Sequence, residues 1–413
     1  MRLQKQLLPL AVTASMALLS VGAQAASAET EALRAQIQAL TDRLDQLEQQ
    51  ATVATQKAEA AEAKADAATS GRGILSGNEN VRVTVSGHVN RGLLYADDGR
   101  ESETYNVDND SSSTRLRVIG EADVSDDLTI GSAIEAEFVS NSSFAVNQNN
   151  QTTSISNGNG INQRRLEVYF DSKRYGKLWL GQGSSASDGT SEVDLSGTDL
   201  VGYSSTADIA GAILFRDSNG TLTSTQVGNV FSNFDGQGRG DRVRYDTPSF
   251  GNFTVSASVV DGETWDTALR YAGEFDGAQL AAAIAYSEPD STTVDNQVNG
   301  SVSLLLDNGL NFTVAAGERD VVSGDNPRFY YGKVGYQTQL FSHGLTAVSV
   351  DYSQNDDLAL QGDEGENFGL QLVQNFDKWS TEGYVGYRNY QLDRAAGNVD
   401  DIDAIIMGAR VKF

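Results

Sequence analysis

From Val81 to Phe413 the chain runs in short stretches of alternating apolar and polar residues, and no part of it carries a helical period. Side chains on a strand point alternately to its two faces, so each run has one apolar and one polar face. In RRLEVYF at 164–170, Leu166, Val168 and Phe170 alternate with Arg165, Glu167 and Tyr169. The runs fall at 81–95, 113–123, 128–140, 162–171, 176–183, 240–247, 252–261, 264–275, 278–287, 297–306, 309–320, 328–340, 345–355, 365–375, 380–391 and 402–413. That is about sixteen strands, an even number as a single-chain membrane barrel requires.

The connections alternate in length. SDDL at 125, SKRYGK at 172, TPSFGN at 247, FDGA at 275, DNG at 307, FSHG at 341 and FDKW at 376 are short, and longer polar ones lie between them. Short turns at one rim and long loops at the other suit an outer-membrane barrel and not a soluble sandwich. Phe170, Tyr175, Phe250, Phe253, Phe275, Phe312, Phe341, Phe376, Trp379 and Phe413 fall beside the short turns. Rings gathered there are expected at a membrane interface. The predicted fold is an all-β transmembrane barrel of antiparallel strands.

The N-terminal region reads differently. Arg2 and Lys5, the apolar run Leu7 to Val21 and the small residues at Ala23-Gln24-Ala25 predict a signal peptide over 1–25. Residues 26–70 carry a heptad seam at Leu33, Ile37, Leu40, Leu44, Leu47, Ala51, Ala54, Ala58, Ala61, Ala65 and Ala68. That pattern predicts an α-helical coiled-coil stalk, about 60 Å long at 1.5 Å per residue. Arg43 with Glu48 and Lys57 with Glu62 are complementary between parallel helices in register. The glycines of 71–80 predict a linker, which leaves 81–413 for the barrel.

Composition excludes several functions. The chain has no cysteine and only His88 and His343, so cysteine-based metal sites are ruled out and a histidine-based triad has almost no material. A formal net charge of −26 argues against nucleic acid, whose phosphates require clustered Lys and Arg. The glycines of 236–240 lack the strand-to-helix context and the lysine of a phosphate loop. No cofactor, metal or enzymatic activity is expected. External acids such as Asp97, Asp98, Asp363, Glu364, Asp400 and Asp401 have no calcium-loop spacing and read as a solvated rim.

One connection, at about 184–239, is far longer than the rest, and loops of that length commonly carry function. Folded inward, it would narrow the lumen. Arg115, Arg117, Arg165, Arg242 and Arg244 alternate with apolar neighbours and are predicted to face the lumen, because charge on the lipid side costs several kcal/mol near mid-membrane. Their candidate counter-charges are Asp188, Glu192, Asp194, Asp199, Asp208 and Asp217 on the long connection.

The segment 81–413 resembles the general trimeric porins of Gram-negative outer membranes. The resemblance rests on VTVSGHVNRGLLY at 83, STRLRVIGEADVSDDLTIGSAIEAEF at 113, the RRLEVYF to LGQG hairpin at 164, RVRYDTPSFGNFTVSASV at 242 and the terminal ARVKF. It implies a homotrimer of sixteen-stranded barrels in the outer membrane, in contact with lipid and lipopolysaccharide, each with its third external loop folded into the lumen. It also implies a basic wall facing an acidic loop, with passive diffusion of ions and small hydrophilic solutes across that field. Arg115 and Arg165 match the basic wall best. Asp246 stands where some relatives carry a basic residue, which predicts a weaker wall and a stronger cation preference. Two rival readings stand beside this one. The first is a substrate-selective channel, which needs an aligned basic or aromatic ladder not visible in the sequence. The second is a structural tether from outer membrane to cell wall through the periplasmic stalk.

Overall fold

The structure, a computed structural model, describes residues 77–152, 160–394 and 397–413. The predicted signal peptide, the coiled-coil seam and most of the linker lie outside the described residues. In chain order the strands are β1 (Arg82–Asp97), β2 (Ser102–Asp108), β3 (Arg115–Asp123), β4 (Leu128–Phe138), β5 (Ile161–Ser172), β6 (Gly176–Ser184), β7 (Leu214–Asp217), β8 (Leu222–Gln226), β9 (Arg239–Asp246) and β10 (Phe253–Val260). They continue with β11 (Trp265–Phe275), β12 (Ala278–Glu288), β13 (Val294–Leu306), β14 (Leu310–Val321), β15 (Arg328–Phe341), β16 (Gly344–Asp356), β17 (Glu364–Phe376), β18 (Thr381–Asp393), β19 (Val399–Asp400) and β20 (Ile402–Lys412).

Each barrel strand pairs antiparallel with its neighbours, and β1 pairs with β20, which closes the sheet. Closure satisfies every strand edge, as a spanning sheet must in hydrocarbon. β2 and β3 share one place in the wall. The outer half of β1 pairs with β2 (Arg91 opposite Asp108) and its inner half with β3 (His88 opposite Arg115). The result is a closed barrel of 16 strand positions. β2 itself, at 102–108, was expected as loop, since SETYNVD offers few apolar residues to mark a strand.

The alternation is read correctly for the outer face. Val168, Ile284, Val314, Val350, Leu370 and Met407 are exposed aliphatics on the outside of their strands. Nine of the ten rim aromatics are exposed as well, Phe376 being the exception. The inner face departs from a uniformly polar lumen. Leu94, Tyr105, Val107, Tyr390, Ile402 and Ile406 point inward and are buried beneath Leu200, Ile209, Ile213, Phe215, Val230 and Phe231 of the long connection. This part of the lumen wall is therefore a hydrophobic core.

Candidate functional site in the lumen

Residues 185–238 form an insert that is hydrogen-bonded to the inner wall along its length. Near its start, Ala186 and Ser187 donate their backbone N–H groups to Asp266 on β11, at 3.2 and 2.8 Å. Val193 and Leu195 donate theirs to the Ser301 and Ser303 hydroxyls of β13, at 3.0 and 2.9 Å. Asn299 donates to Thr190 Oγ1 at 2.7 Å, and Tyr390 on β18 donates to the Thr206 carbonyl at 2.7 Å. The lumen-facing serines and asparagines of these strands thus supply the partners that buried loop backbone needs.

One lysine fastens the middle of the insert. Lys333 on β15 is fully buried and ion-pairs with Asp194, and it also donates to Ser196 Oγ at 3.0 Å and to the Gly202 carbonyl. Farther out, Arg216 of β7 forks onto Asp98 with two bonds of 2.9 Å, and β7 pairs with β8 and with β19. The insert therefore also joins the external connection at 97–101 and the pair Val399–Asp400.

All five predicted arginines lie around one recess of ≈ 230 Å³, together with Arg164, Arg239, Glu135, Glu167 and Trp179. They do not form a bare positive wall. Glu135 lies 3.7 Å from Arg115 and 2.9 Å from Arg164, and it also pairs with Arg117. Glu167 pairs with both Arg165 and Arg242. Gly183 makes room for the second of these pairs, because a Cβ there would sit 2.7 Å from the Arg242 guanidinium. Arg244 holds Asp246 at 2.8 Å, and Trp179 Nε1 donates to the same carboxylate at 2.8 Å. Asp246 faces the lumen as expected and neutralises Arg244.

Arg164 is not among the arginines predicted from the sequence. A β-bulge opposite Glu135 and Ala136 shifts the register of β5, so that Arg164 turns inward beside Arg165 and reaches Glu137 at 3.1 Å. A second recess of ≈ 340 Å³ adjoins the first. It is lined by His88, Arg410 and Lys412, and Arg115 and Arg117 line both. Glu382 takes both Arg410 and Lys412, the latter at 2.6 Å. Arg239, Arg410 and Lys412 were not singled out from the sequence, although the alternation of β20 placed the last two on the inner face.

The six predicted acids do not act together. Asp188 meets the basic side, 3.4 Å from Arg239. Asp194 is taken by Lys333 on the other wall, and Asp199 is exposed. Asp208 is buried with Tyr203 and Ser205, holding the insert's own fold. Asp217 is a correction. It accepts from the backbone N–H groups of Asn219 and Thr221 at 3.0 and 2.8 Å and closes the β7–β8 turn, so its charge is used locally. Asp235, absent from the sequence candidates, accepts from the Gly189 and Ser191 amides at 2.6 and 2.8 Å and ties the two ends of the insert together.

Burial, then the nearby Asp188, pushes Asp235 up to about 6, and burial with Asp235 and Asp208 pushes Glu192 well above the usual carboxylate range. Raised values mean that folding favours the neutral forms. The stabilisation they provide is complete below the ordinary carboxylate pKa and is lost as pH rises through about 6 at Asp235. Amides of the insert are accordingly expected to be better protected at pH 5 than at pH 8, after correction for intrinsic exchange, as read by hydrogen–deuterium exchange. Equal protection would show that these carboxyls do not control the loop.

Residues 11–409 match the family model for Gram-negative porins. The chain belongs to that family. No curated protein sequence matches it. Among solved structures, the anion-selective porin of Comamonas acidovorans aligns over 81% of this chain and 100% of its own at 15% identity, with a TM-score of 0.56. Salmonella typhi OmpF, in complex with daunomycin, aligns over 82% and 100% at 14% identity and TM-score 0.52. The trimer form of OmpT from Vibrio cholerae aligns over 81% and 100% at 14% identity and TM-score 0.51. At these identities the structures share the fold. This porin is an outer-membrane channel for passive diffusion of small solutes, and the two recesses and the insert described above lie inside its lumen.

Proposed function

We propose that the porin works as a homotrimeric, non-catalytic channel for ions and small hydrophilic solutes, with its narrowest zone between the insert and the arginine recess. The observation that carries this reading is the seating of the insert. Its backbone is pinned to β11, β13, β15 and β18, so it fills lumen space beside a charged wall. A charged, water-filled constriction orients polar solutes without binding them tightly.

The trimer is supported by the outer surface. Arg91 lies midway along β1 on the outward face, in line with Val89 and Leu93, and bonds to Asn106 at 2.8 Å and to the Ser140 carbonyl at 2.7 Å. It also pairs with Asp108 at 3.8 Å, yet an arginine on the outward face is costly against acyl chains, so this face suits a protein neighbour. The trimer form of the Vibrio cholerae structure agrees with that assignment.

Planar-bilayer recording of the purified full chain tests the reading. Large ohmic steps that close in groups of three are expected. A silent bilayer would sink the channel reading, and single closures would sink the trimer.

A further inference from the structure

The insert leaves the wall at the end of β6 and returns to it at the start of β9, where Ser184 lies opposite Arg239. Its two legs stay together past that point, with the Ser185 N–H donated to the Gly238 carbonyl at 2.9 Å. This neck rests on two charged residues of β11. Asp266 and Arg270 are four residues apart on the strand, so both point into the lumen. Asp266 is buried and accepts from the backbone N–H groups of Ala186 and Ser187 and from the hydroxyls of Ser187 and Ser258. Arg270 does the converse, donating to the Ala186 and Asp188 carbonyls at 2.8 and 2.9 Å. One anion and one cation thus hold the same stretch, 186–188, the first by its N–H groups and the second by its carbonyls.

The returning leg is tied to the same point. The Gln237 N–H donates to Ser187 Oγ at 2.9 Å, and Gly236 takes φ +58° beside it, where a Cβ would lie 2.2 Å from that oxygen. Only glycine lets the leg come so close in that conformation. The two legs carry Asp188 and Arg239, whose side chains meet at 3.4 Å. Arg239 lines the arginine recess, and 37% of its side chain is exposed. How much of that charge a passing solute meets depends on whether Asp188 stays beside it. Lys333 has a different part, since it grips the insert farther on, from Asp194 to Gly202.

We propose that Asp266 and Arg270 are positioning residues for the constriction: they hold the neck so that Asp188 covers Arg239, and β11 thereby sets the charge balance there without touching a solute. The proposal rests on the channel reading above. Two substitutions test it without changing the net charge. Arg270→Lys keeps the positive charge but loses the planar fork that reaches two carbonyls. Ser187→Ala removes only the hydroxyl that links Asp266 to Gln237.

Reversal potentials are read by planar-bilayer recording of the full chain in a potassium chloride gradient. Both variants are expected to shift the potential toward the anion side, because Arg239 loses its cover. In an Asp188→Asn background, where the cover is already gone, neither should add a further shift, as holds for residues that act through one another. A role in barrel stability alone would change the yield or the unfolding transition and would not produce that dependence on Asp188. Unchanged potentials in both variants, or shifts that persist undiminished beside Asp188→Asn, overturn the positioning role and leave the channel standing. If Arg270→Lys does not insert, Ser187→Ala decides by the same comparison. A silent wild type overturns the channel reading itself.

Discussion

Replacing Lys333 by methionine is expected to release the middle of the insert from the barrel wall. The lysine is fully buried, its ammonium is matched to Asp194, and it has further acceptors in Ser196, Thr198 and the Gly202 carbonyl. Methionine fills the space but leaves the Asp194 carboxylate buried without its cation. Breaking one side of a buried pair costs about 3–5 kcal/mol, whereas replacing both sides by apolar groups is often close to neutral. Amides around 190–204 should then lose protection in hydrogen exchange, and single-channel records should show larger, noisier steps. Asp194→Leu combined with Lys333→Met should recover most of the protection. If the double variant is as loose as the single one, the contribution of Lys333 is packing and not charge.

Phe215→Ala should act on the other half of the insert. Phe215 is 0% exposed and lies in the cluster that joins β7 to Leu94, Tyr390 and Ile402 of the wall. Truncating a buried phenylalanine costs about 3–5 kcal/mol through lost transfer energy and the cavity left behind. Because the barrel's ladder is untouched, the loss should fall on the insert. Exchange protection across 206–231 should drop while that of the strands persists, and conductance should gain open sub-states. A lowered unfolding transition of the whole barrel with no local change would show that this core stabilises the barrel and not the loop.

The two variants rest on features that differed in how readable they were. The apolar core had a faint trace in the sequence. Ile405 and Ile406 are adjacent, as are Leu93 and Leu94, so both faces of β1 and β20 are apolar there, and a strand facing water would not need that. Lys333 left none. In YYGKVGY it reads as one more inward polar residue, and only the path of the insert reveals that Asp194 comes to meet it.

The recess shows the same division at finer scale. Arg115, Arg117, Arg165, Arg242 and Arg244 were found by alternation, because the period of two is imposed by each strand's own backbone. Arg164 was missed because a bulge reverses the alternation for a single residue, and a bulge is set by pairing with β4. Asp217 was taken for a lumen charge because acidic residues on a long loop look alike in sequence, and the turn that uses its carboxylate forms only when β7 meets β8.

The sequence by itself determined the sixteen strand positions of the barrel wall, the alternation of short turns and long loops, and the lipid-facing band with its aromatic rim, but not the short strands β2, β7, β8 and β19. All of these follow from local periodicity and from the solvent each face must meet. Only the tertiary structure decided which charges neutralise each other, which part of the lumen is a hydrophobic core, and that Arg115 and Arg117 line two adjoining recesses. Those depend on register between strands distant in the chain and on where a long loop comes to rest. Neither is encoded in any single stretch, because a residue's neighbours across the lumen are set by closure of the whole sheet.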